Sequence, residues 1–218
     1  MIWKRIFALT TLVLVIGTIW LVKGKSAEEK LLSAKIKTEL KDGDLIFQTS
    51  LSGQSLAIQK ATQSNYSHCG IIYKNGNEYV VFEAVQPVKL TKLTEWIARG
   101  KDGKYVIKRL KDANKIINKA TLAQMKAVGK QLVWKPYDSS FEWSDDRIYC
   151  SELIWKVYQR ATGIELGKLQ KLSDFDLSDP VVKEKISQRF GTNIPLNESV
   201  ISPKAIVESN LLVTIASN

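Results

Sequence analysis

The sequence predicts an α+β fold, an antiparallel sheet flanked by helices. Three observations carry this reading. Two runs rich in β-branched and aromatic residues, "HCGIIYK" and "EYVVFEAV", meet at Asn75-Gly76, the strongest short-range signal for a hairpin. Stretches of helical length and period stand on both sides of that hairpin instead of alternating strictly with strands. The composition, 44% hydrophobic and 25% charged over 218 residues, is that of an ordinary globular chain with enough apolar residues for one core. No fixed-period repeat and no low-complexity tract interrupts it.

The elements follow in order. Lys4 and Arg5 precede "IFALTTLVLVIGTIWLV", residues 6–22, which is uncharged and apolar all round, and Lys23 and Lys25 close it. A basic start before an apolar core is the plan of an export signal, and the run is at the short end for a membrane span. Residues 1–25 are therefore expected to be a signal peptide or membrane anchor, and residues 26–218 the functional domain. "GKSA" at 24–27 is only a weak cleavage site, and no cysteine lies in the first 68 residues to carry a lipid. The expected location is extracytoplasmic, periplasmic in a cell with two membranes, with the chain either released or held at the inner membrane.

Residues 28–40 read as a short amphipathic helix or linker, and "KDGDLIFQTS" turns at Asp42-Gly43 into a strand at 44–49. "SLAIQKATQ" is helical over 55–63. After the hairpin, "LTEWIARG" reads as a helix stopped by Gly100, and "KYVIKRL" as a strand over 104–110. A longer helix spans 119–134 and ends at Lys135-Pro136. The loop 137–149 leads into a helix over 150–163, closed by Gly163. A helical stretch at 180–190 follows, then "SPKAIVES", where Ser202 caps and Pro203 takes the first helical position.

Charge narrows the partners. The formal net charge is +10, of which Lys4, Arg5, Lys23 and Lys25 supply four units, leaving +6 for residues 26–218. The lysines are scattered, with no basic block or arginine-rich face, which suits an acidic envelope surface better than nucleic acid.

The only histidine, His68, stands at the foot of the hairpin. A two-residue turn at Asn75-Gly76 sets 68 opposite 83, and residue 83 is glutamate. A carboxylate beside a histidine orients the ring and stabilises the imidazolium. Strand alternation turns Cys69 away from His68. The second cysteine, Cys150, follows a loop and opens a helix, where free N–H groups and the helix dipole favour a thiolate and an oxyanion. A Cys69–Cys150 disulfide and a His68–Cys150 dyad are then competing arrangements.

At these residues the sequence resembles a family. "GDLIFQ", "SHCGIIY", "FEAV", "KPYD" and "DDRIYCSELIWKVYQ" are similar, in that order, to the circularly permuted papain-like hydrolases, the YiiX-like branch related to the NlpC peptidases. The likeness runs from about residue 42 to 206, and histidine precedes cysteine, as in the permuted order. It implies a permuted papain-like fold with an antiparallel sheet or small barrel, Cys150 as nucleophile, His68 as base and Glu83 as the residue orienting His68. Cys69 is not part of the family's pattern and reads as incidental. The chemistry implied is acyl transfer through an acyl-enzyme, cleaving an amide bond in a peptide or small amide. Cell-wall peptides are the substrate that relatives and location suggest, and no metal or organic cofactor is called for.

Nearby residues allow two readings each. Glu142, Asp145 and Asp146 can select a cationic group of a substrate, or form a solvated loop paired with Arg147. Tyr137 can donate a hydrogen bond near the site, or pack with its hydroxyl at the surface. Trp143, Trp155 and Tyr158 can line a groove or pack in the core, and Asp44 can be a turn carboxylate. Two further functions stay open: an acyl ester hydrolase or acyltransferase acting on lipid, favoured by an apolar groove at Cys150, and a non-catalytic envelope-binding module.

Overall fold

The computed structural model describes residues 39–218. The expected signal or anchor, and all but the end of the helix expected over 28–40, lie outside them.

Six strands form one antiparallel sheet: β1 (Leu45–Gln48), β2 (His68–Asn75), β3 (Glu78–Glu83), β4 (Lys89–Lys92), β5 (Val106–Leu110) and β8 (Leu212–Ser217). Their order is β4-β3-β2-β1-β5-β8, so the sheet is open, with β4 and β8 at its edges and no closed barrel. A two-stranded ribbon, β6 (Gln170–Lys171) with β7 (Ser199–Val200), stands apart. The helices are α1 (Ser55–Thr62), α2 (Leu93–Ala98), α3 (Ala113–Ile116), α4 (Lys119–Leu132), α5 (Cys150–Thr162), α6 (Pro180–Phe190) and α7 (Pro203–Val207).

Side-chain alternation gives the sheet two different faces. Phe47, Cys69, Ile71, Tyr73 and Phe82 join the main core with Met125 and Leu132 of α4 and Leu153, Ile154 and Val157 of α5. The residues between them, Ile46, Ile72 and Val81, are buried on the other side, together with Trp96 of α2. A sheet covered on both faces explains why β1 and β2 read as continuous apolar runs.

The helices begin and end where their sequences direct. Asn118 caps α4 by accepting from Ala120 and Thr121 N–H groups, Asp179 caps α6, and Ser202 caps α7. Gly163 closes α5 in the left-handed region at φ 73°. Asp44, expected as a turn carboxylate, is buried and gripped by Arg109 at 2.6 and 2.7 Å, while the Lys41 N–H also donates to it.

The hairpin corrects the expected register. Asn75 pairs with Glu78, Tyr73 with Val80 and Ile71 with Phe82, so the turn residues are Gly76 and Asn77. Gly76, at φ +60°, holds the first turn position, where a type II′ turn asks for glycine; the Asn-Gly reading had assumed asparagine there. The pairing moves by two residues, which preserves the face each side chain takes.

Candidate active site

Continued along the strands, this register sets Gly70 opposite Glu83, with His68 one step diagonally away on the same face. Gly70 makes that diagonal usable. A Cβ there would lie 2.3 Å from a Val81 methyl and 2.9 Å from the Phe82 carbonyl oxygen, and 3.5 Å from the Glu83 Cβ. With no side chain between them, His68 Nε2 and Glu83 Oε2 meet at 2.6 Å.

Glu83 is fully buried and held from three sides. Besides His68, Thr91 of β4 donates its hydroxyl to Oε1 at 2.6 Å, and Arg99, just after α2, reaches Oε1 and Oε2 at 2.7 and 2.6 Å. Trp96 stacks on the imidazole, with centroids 5.7 Å apart and planes 23° from parallel. Burial alone would raise the Glu83 carboxyl, but the hydrogen bond and charge of His68, then Arg99 and Thr91, hold it at about 2.

Cys150 is the first residue of α5, and it is 3% exposed. The chain leading to it is pinned: Tyr137 bridges Ile148, and the Ile148 N–H donates to the Pro136 carbonyl at 3.0 Å. The Tyr149 N–H donates to Glu152 at 3.3 Å, and the Tyr149 hydroxyl accepts from the Ile201 N–H at 3.1 Å. The thiol sits at the positive end of a helix, beside N–H groups with no partner inside that helix.

Both cysteines are free. The thiol of Cys150 is held well below its ordinary value, first by a hydrogen bond from Cys69, against its own burial, and then by the hydrogen bond and charge of His68. Burial would pull His68 down, but its hydrogen bonds to Cys150 and Glu83 prevail and lift it to about 9. Burial pushes Cys69 well up, and its hydrogen bond to Cys150 adds to this. The group of three therefore favours thiolate at Cys150, imidazolium at His68 and a neutral thiol at Cys69.

This corrects the reading of Cys69. It does face away from His68, toward the α5 side of the sheet, but Cys150 lies near enough to both for each to lower its thiol. Alternation governs one strand and says nothing of how far a helix end packed against it can reach.

The acidic loop residues go elsewhere. Asp145 is drawn well below the usual carboxylate range, first by Arg160 and then by Lys156, with contacts of 2.8 Å to each. Glu142 pairs with Arg147 at 2.7 Å, and Asp146 is exposed. Trp143 and Trp155 pack edge to face, and the Tyr158 hydroxyl donates to the Gly43 carbonyl. None of these lines the cavity at Cys150. That cavity is apolar, walled by Phe141, Phe175, Ile186, Phe190 and Ile201, with Lys185 and Arg189 as its cations. Its free interior of about 80 Å³ is several times the ~10–15 Å³ one water needs.

A family model described as "Permuted papain-like amidase enzyme, YaeF/YiiX, C92 family" matches residues 39–216. The chain belongs to this permuted papain-like amidase family. It is 51% identical over 174 residues to the uncharacterized protein YiiX of Escherichia coli K12, covering 80% of this chain and 85% of that one. A crystal structure titled "metalloprotein yiiX", from Escherichia coli O157:H7, superposes with a TM-score of 0.78 at 48% identity. The match covers 83% of this chain and 98% of that one. Arg99, Thr91 and Trp96, which build the wall behind His68, have no sequence signal that could have found them in this chain. They reach the site only when β4 and α2 fold back along β3.

Proposed function

We propose that this chain is a cysteine hydrolase that cleaves an amide bond through Cys150, His68 and Glu83. The observation that carries the reading is the 2.6 Å His68–Glu83 contact on the same imidazole that hydrogen-bonds Cys150 at the head of α5. In the resting site the thiolate is the nucleophile and the imidazolium the acid. The Cys150 sulfur attacks the carbonyl carbon, and the oxyanion is received by the Cys150 N–H and the Tyr137 hydroxyl. His68 gives its proton to the leaving amine as the carbon–nitrogen bond breaks. Water, losing a proton to His68, then attacks the acyl-enzyme and frees the acid and Cys150. Glu83 keeps the ring oriented, and Arg99 and Thr91 keep Glu83 charged and in place.

The "metalloprotein" of the related crystal structure's title finds no matching donor set here. Among the described residues no group of three or more His, Cys, Asp or Glu side chains is arranged to hold a metal ion, and His68, Cys69, Cys150 and Glu83 are engaged with one another.

The apolar cavity at Cys150 bears on the substrate. It suits a carbonyl carrying an aliphatic or aromatic group, which an N-acyl amide or a wall peptide with an uncharged residue at the scissile bond supplies. It also favours a second reading, hydrolysis or transfer of a lipid acyl ester, because the same wall accommodates an acyl chain. Export behind residues 1–25 and attachment at the membrane belong to the proposal too. Among the described residues no helix is long and apolar enough to cross a membrane, and residues 6–22 lie outside them.

The test is the rate of iodoacetamide alkylation at Cys150 against pH, with and without His68→Ala. The expected midpoint lies well below the ~8.5 of a free cysteine and rises toward it in the variant. A Cys150 that is inert across the range, or indifferent to His68, would leave a binding module as the better reading.

A further inference from the structure

A hydrogen-bonded chain runs from α6 to the edge of the site. Arg189 Nη2 donates to Gln54 Oε1 at 2.6 Å, and Gln54 Nε2 donates to the Tyr137 hydroxyl oxygen at 2.6 Å. The direction of this chain is fixed by chemistry. A guanidinium has no acceptor, so the Gln54 amide must turn its oxygen to Arg189 and its NH2 to Tyr137. The phenol oxygen is then an acceptor toward Gln54, and its single proton is left to point at another oxygen.

One end of the chain lies in the wall beside the nucleophile, and the other is on the segment that leads into it. Arg189 lines the apolar cavity together with Cys150, and its guanidinium lies 5.0 Å over the Phe141 ring of the same wall. Tyr137 is tethered through its own N–H to Gln86 at 2.7 Å and bridges Ile148, two residues before Cys150. Burial and then the charge of Cys150 push its phenol well above the ordinary value, so it is a proton donor throughout the working range.

We infer that Arg189 and Gln54 are positioning residues that aim the Tyr137 proton at the oxyanion formed on Cys150. They touch no reacting atom; they set the direction of a group that does. Three segments far apart in sequence, the start of α1, the loop before α5 and the end of α6, thereby act as one donor. This rests on Cys150 being the nucleophile, and the experiment separates the two claims.

Two reagents react with the same sulfur through different transition states. A p-nitrophenyl ester acylates it through a tetrahedral oxyanion, whereas iodoacetamide alkylates it by direct displacement with no oxyanion. Gln54→Glu is nearly isosteric, and its carboxylate accepts from Arg189 and from the phenol, so it pulls the Tyr137 proton away from the site. Expected is a fall in Cys150 acylation by p-nitrophenyl acetate of about tenfold or more, with alkylation within about twofold of wild type. Tyr137→Phe should fall as far, and the double variant no further, since both changes remove the same donor. Peptide mapping assigns the label to Cys150 rather than Cys69. Unchanged acylation in Gln54→Glu with normal alkylation overturns the positioning role while leaving the nucleophile. A wild-type Cys150 that reacts with neither reagent overturns both.

Discussion

At the scale of single residues, the site rests on the mutual influence of Cys150, His68 and Cys69 on their protonation. A thiolate buried at 3% exposure would be costly without compensation, because burial disfavours the charged form. The compensation comes from two donors on adjacent positions of β2, the Cys69 thiol and the His68 imidazolium, together with the end of α5. Cys69→Ala removes the larger of these and leaves His68 and Glu83 untouched. The alkylation midpoint of Cys150 should move upward, as is expected for His68→Ala, and Cys69→Ser, which keeps an O–H donor, should restore part of the shift. An unmoved midpoint in Cys69→Ala would show the neighbouring thiol to be packing only. The upper limb of activity has a different owner. His68, lifted to about 9, loses its proton as the pH passes that value, and with it the acid that expels the leaving amine. Its raised value also means that the ion-pair contribution to folding is complete below the ordinary 6.5 and is lost as pH rises through about 9.

At the scale of the element, the β2–β3 hairpin decides whether the His68–Glu83 pair exists. His68 meets Glu83 across a gap that only glycine leaves open, since a methyl on residue 70 would press on the backbone oxygen of Phe82 at 2.9 Å. Gly70→Ala should lower stability by ~1–3 kcal/mol in urea unfolding, the usual cost of overpacking. In the folded fraction it should also spread His68 from Glu83 and raise the Cys150 midpoint. Wild-type stability and midpoint together would remove this role for Gly70. The same hairpin shows what was legible beforehand. The His68–Glu83 partnership follows from β-alternation and survives the two-residue error in the turn, because such an error preserves faces. Cys150 at the head of α5 follows from the loop-to-helix transition. Thr91 and Arg99 do not, because β4 is a four-residue edge strand with two lysines and only one buried position. β8 was not anticipated either, although it pairs along β5 through a bulge at Ile107 and Lys108. Edge strands carry weak patterns of their own and are fixed by the neighbour that accepts them.

At the scale of the whole molecule, the fold builds a wall beside the nucleophile that no single element supplies. Ala57 and Ala61 come from α1, Phe141 from the loop before Cys150, Ile186 and Phe190 from α6, and Ile201 from the stretch before α7. The permuted order puts histidine and its strand first and the nucleophile's helix later, and the C-terminal third then closes over the nucleophile's flank. Such a wall rewards apolar surface on the substrate, at ~0.8 kcal/mol, or about fourfold in rate, for each methylene it fully buries in the transition state. A series of N-acyl p-nitroanilides from acetyl to octanoyl should therefore show kcat/KM rising over the first few methylenes and levelling once the cavity is full. Ala61→Phe, placed on the cavity side of α1 and away from His68 and Glu83, should flatten that rise while leaving the acetyl substrate and the Cys150 alkylation midpoint near wild type. A flat chain-length profile in the wild type would mean that the cavity does not receive the acyl group. The wall-peptide reading, with recognition spread over the backbone of a longer substrate, would then stand ahead of the acyl-chain one.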